Sequence, residues 1–130
     1  MIGKLGWAIA ALMLSAAPAL AQSSCGGDPI APAAIDGSKA TEQQMKDAHD
    51  DVVNFMKTSD DYQTCLNDDL THQKQAAAKA KDPKPLDPAI VQAVGAKVDA
   101  NQRAKEAVGA EYNAAVHAYK AVHPDAVKKP

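Results

Sequence analysis

The feature that most constrains this chain is a double proline break, Lys81-Asp82-Pro83-Lys84-Pro85, with a helical apolar pattern on each side of it. Proline lacks the backbone N–H and clashes with the preceding turn, so two of them two residues apart end a helix and stiffen the connection beyond it. Before the break the apolar positions run Met45, Ala48, Val52, Phe55, a small Ser59, Tyr62 and Leu66. After it they run Val91, Val94, Val98, Asn101, Lys105, Val108, Tyr112, Ala115, Tyr119 and Val122, with Asn101 and Lys105 as polar exceptions. Spacings that alternate three and four mark a helix with one buried stripe, close to a coiled-coil seam. Two such helices joined by a short link predict an all-α fold, a long antiparallel hairpin.

The ends of both helices carry their own signals. Thr41 followed by Gln44 is a capping-box pattern, and Glu42 adds a negative charge to the first turn. Leu70 comes four after Leu66, where a strict heptad places Asp69, and Ala76-Ala77-Ala78-Lys79-Ala80 extends the helix on propensity. For the second helix, Asp87 is an N-cap, Pro88 occupies the first helical position and Leu86 is placed to staple onto Val91. The expected helices span 41–80 and 88–123, with Pro124 ending the second and residues 124–130 forming a disordered tail.

Folding the hairpin about Lys84 sets Phe55 near Tyr112, Val52 near Ala115 or Val116, and Leu66 near Asn101. The aromatic pair is then the heaviest packing in the protein. Residues 41–72 hold eight acidic and two basic side chains against a nearly neutral second helix, which points Asp61 and Asp68 toward Lys105 and Arg103. A seam Asn101 has two readings of equal weight. It fixes register or oligomeric state, or it meets backbone or water at a thin point.

Residues 1–21 read as a cleavable secretory signal peptide. Lys4 supplies the basic n-region, residues 5–17 the apolar run, and Ala19-Leu20-Ala21 the small-x-small cleavage pattern after Pro18. Pro18 shortens the run below the roughly 20 apolar residues of a spanning helix. Gln22 stands where a lipobox before Cys25 needs an apolar residue, so no stable membrane anchor is expected once the leader is cut after Ala21. The destination is periplasmic or secreted. Removing 21 of 130 residues leaves 109, one domain's length.

Residues 22–40 contain Gly26, Gly27, Pro29, Pro32 and Gly37, a composition for an extended arm rather than a regular element. Ile30 and Ile35 are its candidate contacts. In an oxidising compartment the even pair Cys25 and Cys65 is expected to form a disulfide that ties the arm to the body. The loop it closes is worth roughly 4 kcal/mol in the chain-entropy model. That matters for an alanine-rich chain whose leader takes away its one Trp. A two-helix hairpin buries one stripe per helix, so the arm as a third layer, self-association or a protein partner is needed to cover the rest.

The composition argues against several functions. Without Lys4 the chain has 13 basic and 16 acidic residues, which is no footprint for nucleic acid or anionic lipid. Asp50-Asp51, Asp60-Asp61 and Asp68-Asp69 are helical neighbours that diverge by about 100°, so they form a solvated face rather than carboxylate dyads. Ser59 and Thr58 have no histidine on their face, and no phosphate loop or nucleophile elbow occurs. Gly95 and Gly109 inside a helix permit close backbone approach. Met45, His49 and His123 fall at one end of the hairpin, a set that suits a soft metal such as copper. The seam phase instead puts His117 outward and His49 and His123 on the flanks. No catalytic residue, cofactor site or metal site is assigned.

The arm Pro32-Ala33-Ala34-Ile35-Asp36-Gly37, the opening Thr41-x-x-x-Met45, Tyr62-x-x-Cys65-Leu66, Tyr112-Asn113 and Tyr119-Lys120 resemble a group of small exported helical proteins of proteobacteria. The resemblance implies an exported location and a helical shape, and it brings no activity or site residue. The expectation is an exported, non-enzymatic helical protein acting through protein or envelope contacts. The alternative is a periplasmic metal or small-ligand binder.

Overall fold

The computed structural model describes residues 24–127. The proposed signal peptide and the last three residues lie outside them. The described chain is all-α: helix α1 spans Glu42–Lys79, helix α2 spans Pro88–Val122, and the two pack as an antiparallel hairpin. At 1.5 Å per residue they are about 57 and 52 Å long. At the start of the segment assigned to the tail, Pro124–Val127 forms a 3-10 turn directly after α2.

The capping chemistry explains where the helices start. Thr41 accepts the Gln44 N–H at 3.2 Å through its hydroxyl, while the Thr41 N–H donates to the Gln44 side-chain carbonyl at 2.9 Å. Two backbone and side-chain groups are thus satisfied reciprocally. Asp87 caps α2 by accepting the Ala89 N–H at 2.9 Å, with Pro88 in the first turn. Here its missing N–H costs nothing.

The buried residues of both helices all lie on the seams that the spacing selects, although Val91 and Val122 of the second seam are exposed. Met45, Phe55, Ser59, Tyr62 and Leu66 are buried on α1, and Asn101, Val108 and Ala115 on α2. The arm is the third layer. Residues 32–35 lie across Ala48 and Val52 of α1 and Val108, Glu111 and Tyr112 of α2. Ile35 packs on the cluster of Ala40, Met45 and Ala115, whereas Ile30, the other expected contact, is 92% exposed. A turn at Asp36 then carries the chain into α1. Asp36 accepts the Ser38 N–H at 3.1 Å and Ser38 hydroxyl at 2.6 Å, and pairs with Lys39. These contacts, the Ser38 bond foremost, hold its carboxyl below the usual range. Gly37 touches α2 so closely that a Cβ on it would lie 1.8 Å from the Ala115 carbonyl oxygen.

Cys25 and Cys65 form the expected disulfide, which pins the start of the arm halfway along α1. The core stops at that level. From residue 67 to residue 100 no side chain is buried, and Leu70, Ala77, Leu86, Ile90, Val94 and Val98 are half-buried between two helices alone. The arm, where present, turns a thin two-helix contact into a core.

The register differs from the expectation by about one turn. Tyr112 lies against Met45 and His49 rather than Phe55, and Asn101 meets Ser59 and Gln63 rather than Leu66. The link is the cause. Residues 83–86 double back along Lys74 and Ala78 of α1 instead of turning sharply at Lys84. An extended residue advances about 3.3 Å against 1.5 Å in a helix, so this stretch carries the start of α2 further down α1.

Candidate functional site

The arm gives the hairpin two unlike sides. On the arm side, Tyr62 donates its hydroxyl proton to the Asp28 carboxylate, next to the disulfide. Burial, reinforced by that carboxylate, pushes the Tyr62 phenol up to about 12. The sequence offers no short-range cue for this bond, because Asp28 and Tyr62 are 34 residues apart.

Between the helices lies a polar network. Asn101 donates from its amide to the buried Ser59 hydroxyl at 3.2 Å, and Gln63 donates to the Asn101 carbonyl at 2.8 Å. Asn101 thus bonds to two side chains of the facing helix, the kind of contact by which a seam Asn can set register. Lys105, the other polar seam residue, forms an ion pair with Asp60 beside this network. The expected partners differ: Asp61 pairs within its own helix, with Lys57 at 2.8 Å.

The side opposite the arm is open and carries a groove at each end. At the end formed by the start of α1, a groove of about 470 Å³ is lined by Met45, His49, Tyr112, Val116 and Tyr119, with Glu42, Lys46 and Asp50 at its edges. At the link end, a groove of about 500 Å³ lies among Ala78, Pro83, Pro85, Leu86 and Val91, edged by Lys74 and Lys84. Leu86 and Val91 share this groove, as the proposed staple requires. Both grooves are shallow and open, a shape suited to another chain more than to a small molecule.

The proposed metal set comes together only in part. Met45 and His49 line one groove, but the His49 ring packs on Tyr112 with centroids 6.0 Å apart and its Nδ1 lies 3.3 Å from Asp50. His123 stacks on Tyr119 at 4.2 Å and sets its Nδ1 3.1 Å from the Tyr119 carbonyl oxygen, outside that groove. Among the described residues, no three His, Cys, Asp or Glu side chains gather as metal ligands.

A third groove, about 410 Å³, borders the disulfide and is lined by Ser24, Asp61, Thr64, Cys65, Asp68, Asp69 and His72. It surrounds Cys65 with negative charge. Among the described residues no helix is long and apolar enough to cross a membrane. The disulfide is compatible with an oxidising location. No known family, curated protein or solved structure matches the chain.

Proposed function

We propose that this protein is exported, with its leader cut after Ala21, and that it acts without catalysis as a periplasmic or secreted hairpin binding protein or envelope partners. The observation that carries the reading is the asymmetry of the fold. The arm covers one side of the helix pair as far as the disulfide, while the other side keeps two apolar grooves and the half-exposed Val91 along its length. An amphipathic hairpin left open on one face gains by covering it. Export is supported by the leader pattern of residues 1–21, by the disulfide, and by the resemblance to small exported proteins of proteobacteria.

The test is photo-crosslinking in cells from Val91 and Val116 on the open side and from Glu111 on the arm side, combined with fractionation. The expected result is adducts from the open-side positions alone, in the exported fraction, with the mature chain starting at Gln22. An intact leader on a cytoplasmic protein, or no adduct from either side, refutes the proposal. A second reading, a metal or small-ligand binder at Met45, His49 and His123, draws on the groove that Met45 and His49 share. It requires His123 to leave its stack on Tyr119.

A further inference from the structure

The open side has a property that its two grooves do not show when taken singly: they sit on one face and carry opposite charge. On α1, Met45, His49, Met56, Gln63, Lys74 and Ala78 succeed one another at intervals of 4, 7, 7, 11 and 4 residues, all close to whole helical turns. They therefore form one stripe that joins the groove at the start of α1 to the groove at the link. On α2, Val91, Gln102, Lys105, Gly109 and Val116 form the matching stripe. Gln63 reaches toward Gln102, and Met56 lies beside Gly109. The groove at the start of α1 carries Glu42 and Asp50 against Lys46, a net negative edge. The groove at the link is lined by Lys74 and Lys84, with Asp82 paired to Lys84 beside it, a net positive edge.

We infer that this face binds a second copy of the same chain, turned end for end, to make an antiparallel four-helix bundle with an arm on each outer side. The inference rests on the reading of the protein as a contact-making hairpin and names the partner. A two-fold axis near the level of Asp60, Gln63 and Lys105 brings each basic groove onto the acidic, aromatic groove of the other copy. The same two complementary contacts form twice, as an isologous interface requires. Opposed charges at the two ends also disfavour the parallel alignment, which stacks like on like. Two helices side by side over about 50 Å offer a face on the scale of the roughly 800 Å² per partner of a stable interface. Within one chain, Lys46 pairs with Glu42 and Lys84 with Asp82 at exposed positions, and such pairs hold weakly enough in water to exchange partners.

The full chain, purified after processing with its disulfide intact, gives the test. Sedimentation over a range of concentrations is expected to show a monomer–dimer equilibrium that weakens with salt. The double variant K74E/K84E should raise the dissociation constant about tenfold or more, and adding D50K should restore part of the loss. Carbodiimide treatment of mixed 14N and 15N chains should join Lys74 or Lys84 to Asp50 or Glu42 of the other isotope. Within one chain Asp50 and Lys74 are separated by about 36 Å of helix, too far for a zero-length link. A protein that stays monomeric, or a dimer indifferent to these charges and lacking these links, overturns the inference. Open-side adducts to a different protein with no self-adduct also overturn it and leave the contact-making reading standing. A monomer without adducts removes both.

Discussion

Replacing Gly37 by alanine tests the seating of the arm more sharply than any truncation, because the added atom is a single methyl group. Its Cβ would lie 1.8 Å from the Ala115 carbonyl oxygen, 2.6 Å from its carbonyl carbon and 3.0 Å from its Cα. Contact between such atoms begins near about 3.5 Å, so the turn must lift from α2 by well over 1 Å. Overpacking of this kind costs roughly 1–3 kcal/mol where a side chain can yield. All three obstructing atoms here belong to helical backbone, which places the cost near about 3 kcal/mol. Lifting the turn also loosens Ile35 and Ala40 from Met45 and Ala115. The internal control is Gly95→Ala. A Cβ there meets nothing within 4 Å, and a mid-helix glycine costs about 0.5–1 kcal/mol relative to alanine. Urea unfolding monitored by far-ultraviolet circular dichroism should therefore shift in opposite directions. With a slope of about 1–2 kcal/mol per molar urea, the Gly37→Ala midpoint should fall by roughly 1.5–3 M while that of Gly95→Ala rises. A Gly37→Ala protein within about 0.5 kcal/mol of the parent would refute the close approach of arm and helix.

Four further outcomes rest on individual contacts in the fold. Replacing both Cys25 and Cys65 by serine should cost up to about 4 kcal/mol in urea unfolding and raise amide exchange across residues 24–40; unchanged exchange there would contradict the pinning role. Asn101→Ala strips the buried Ser59 hydroxyl of its donor and should cost about 1–3 kcal/mol, whereas Asn101→Leu with Ser59→Ala should recover most of that stability. The Tyr62 phenol is raised from about 10 in the unfolded chain to about 12, so its contribution is full below pH 10 and is lost as pH climbs toward 12. Stability should then fall by about 1.4 kcal/mol per pH unit in that window, with a shallower fall in Tyr62→Phe. Titration with copper or zinc should give no saturable binding that depends on His49, and calorimetry of the parent against His49→Ala checks this.

Much of the fold is legible in local sequence because its determinants are local. Thr41 with Gln44 and Asp87 with Pro88 set the helix starts through atoms within three residues of one another, and the three-four spacing selects the buried face without knowledge of the partner helix. Register is different in kind. It depends on how much length the link consumes, and prolines at 83 and 85 say that a helix stops without saying that the chain doubles back. The mutual satisfaction of Ser59, Gln63 and Asn101 is the missing constraint: three polar side chains on facing surfaces, one of them fully buried, settle opposite one another. Tyr62 with Asp28 and Gly37 with Ala115 are invisible for a plainer reason, since each joins the irregular arm to a helix far along the chain. The open face was foreseeable in outline, because two stripes cannot enclose a core. Which side the arm takes is a three-dimensional fact.

The disulfide sits part-way along a single unbroken helix, and this gives α1 two mechanical characters. From Glu42 to Cys65 it is clamped between α2 and the arm. From there to Lys79 it leans on α2 and the doubled-back link, and beyond Leu66 it has no buried side chain to resist bending. Such a rod behaves as a cantilever, with a stiff root and a compliant tip. Sparse burial makes the link end the place where local opening costs least, and the Ser59–Asn101 hydrogen bond lies within the better-packed root. The tip is therefore free to adjust to whatever it touches while the root holds its shape.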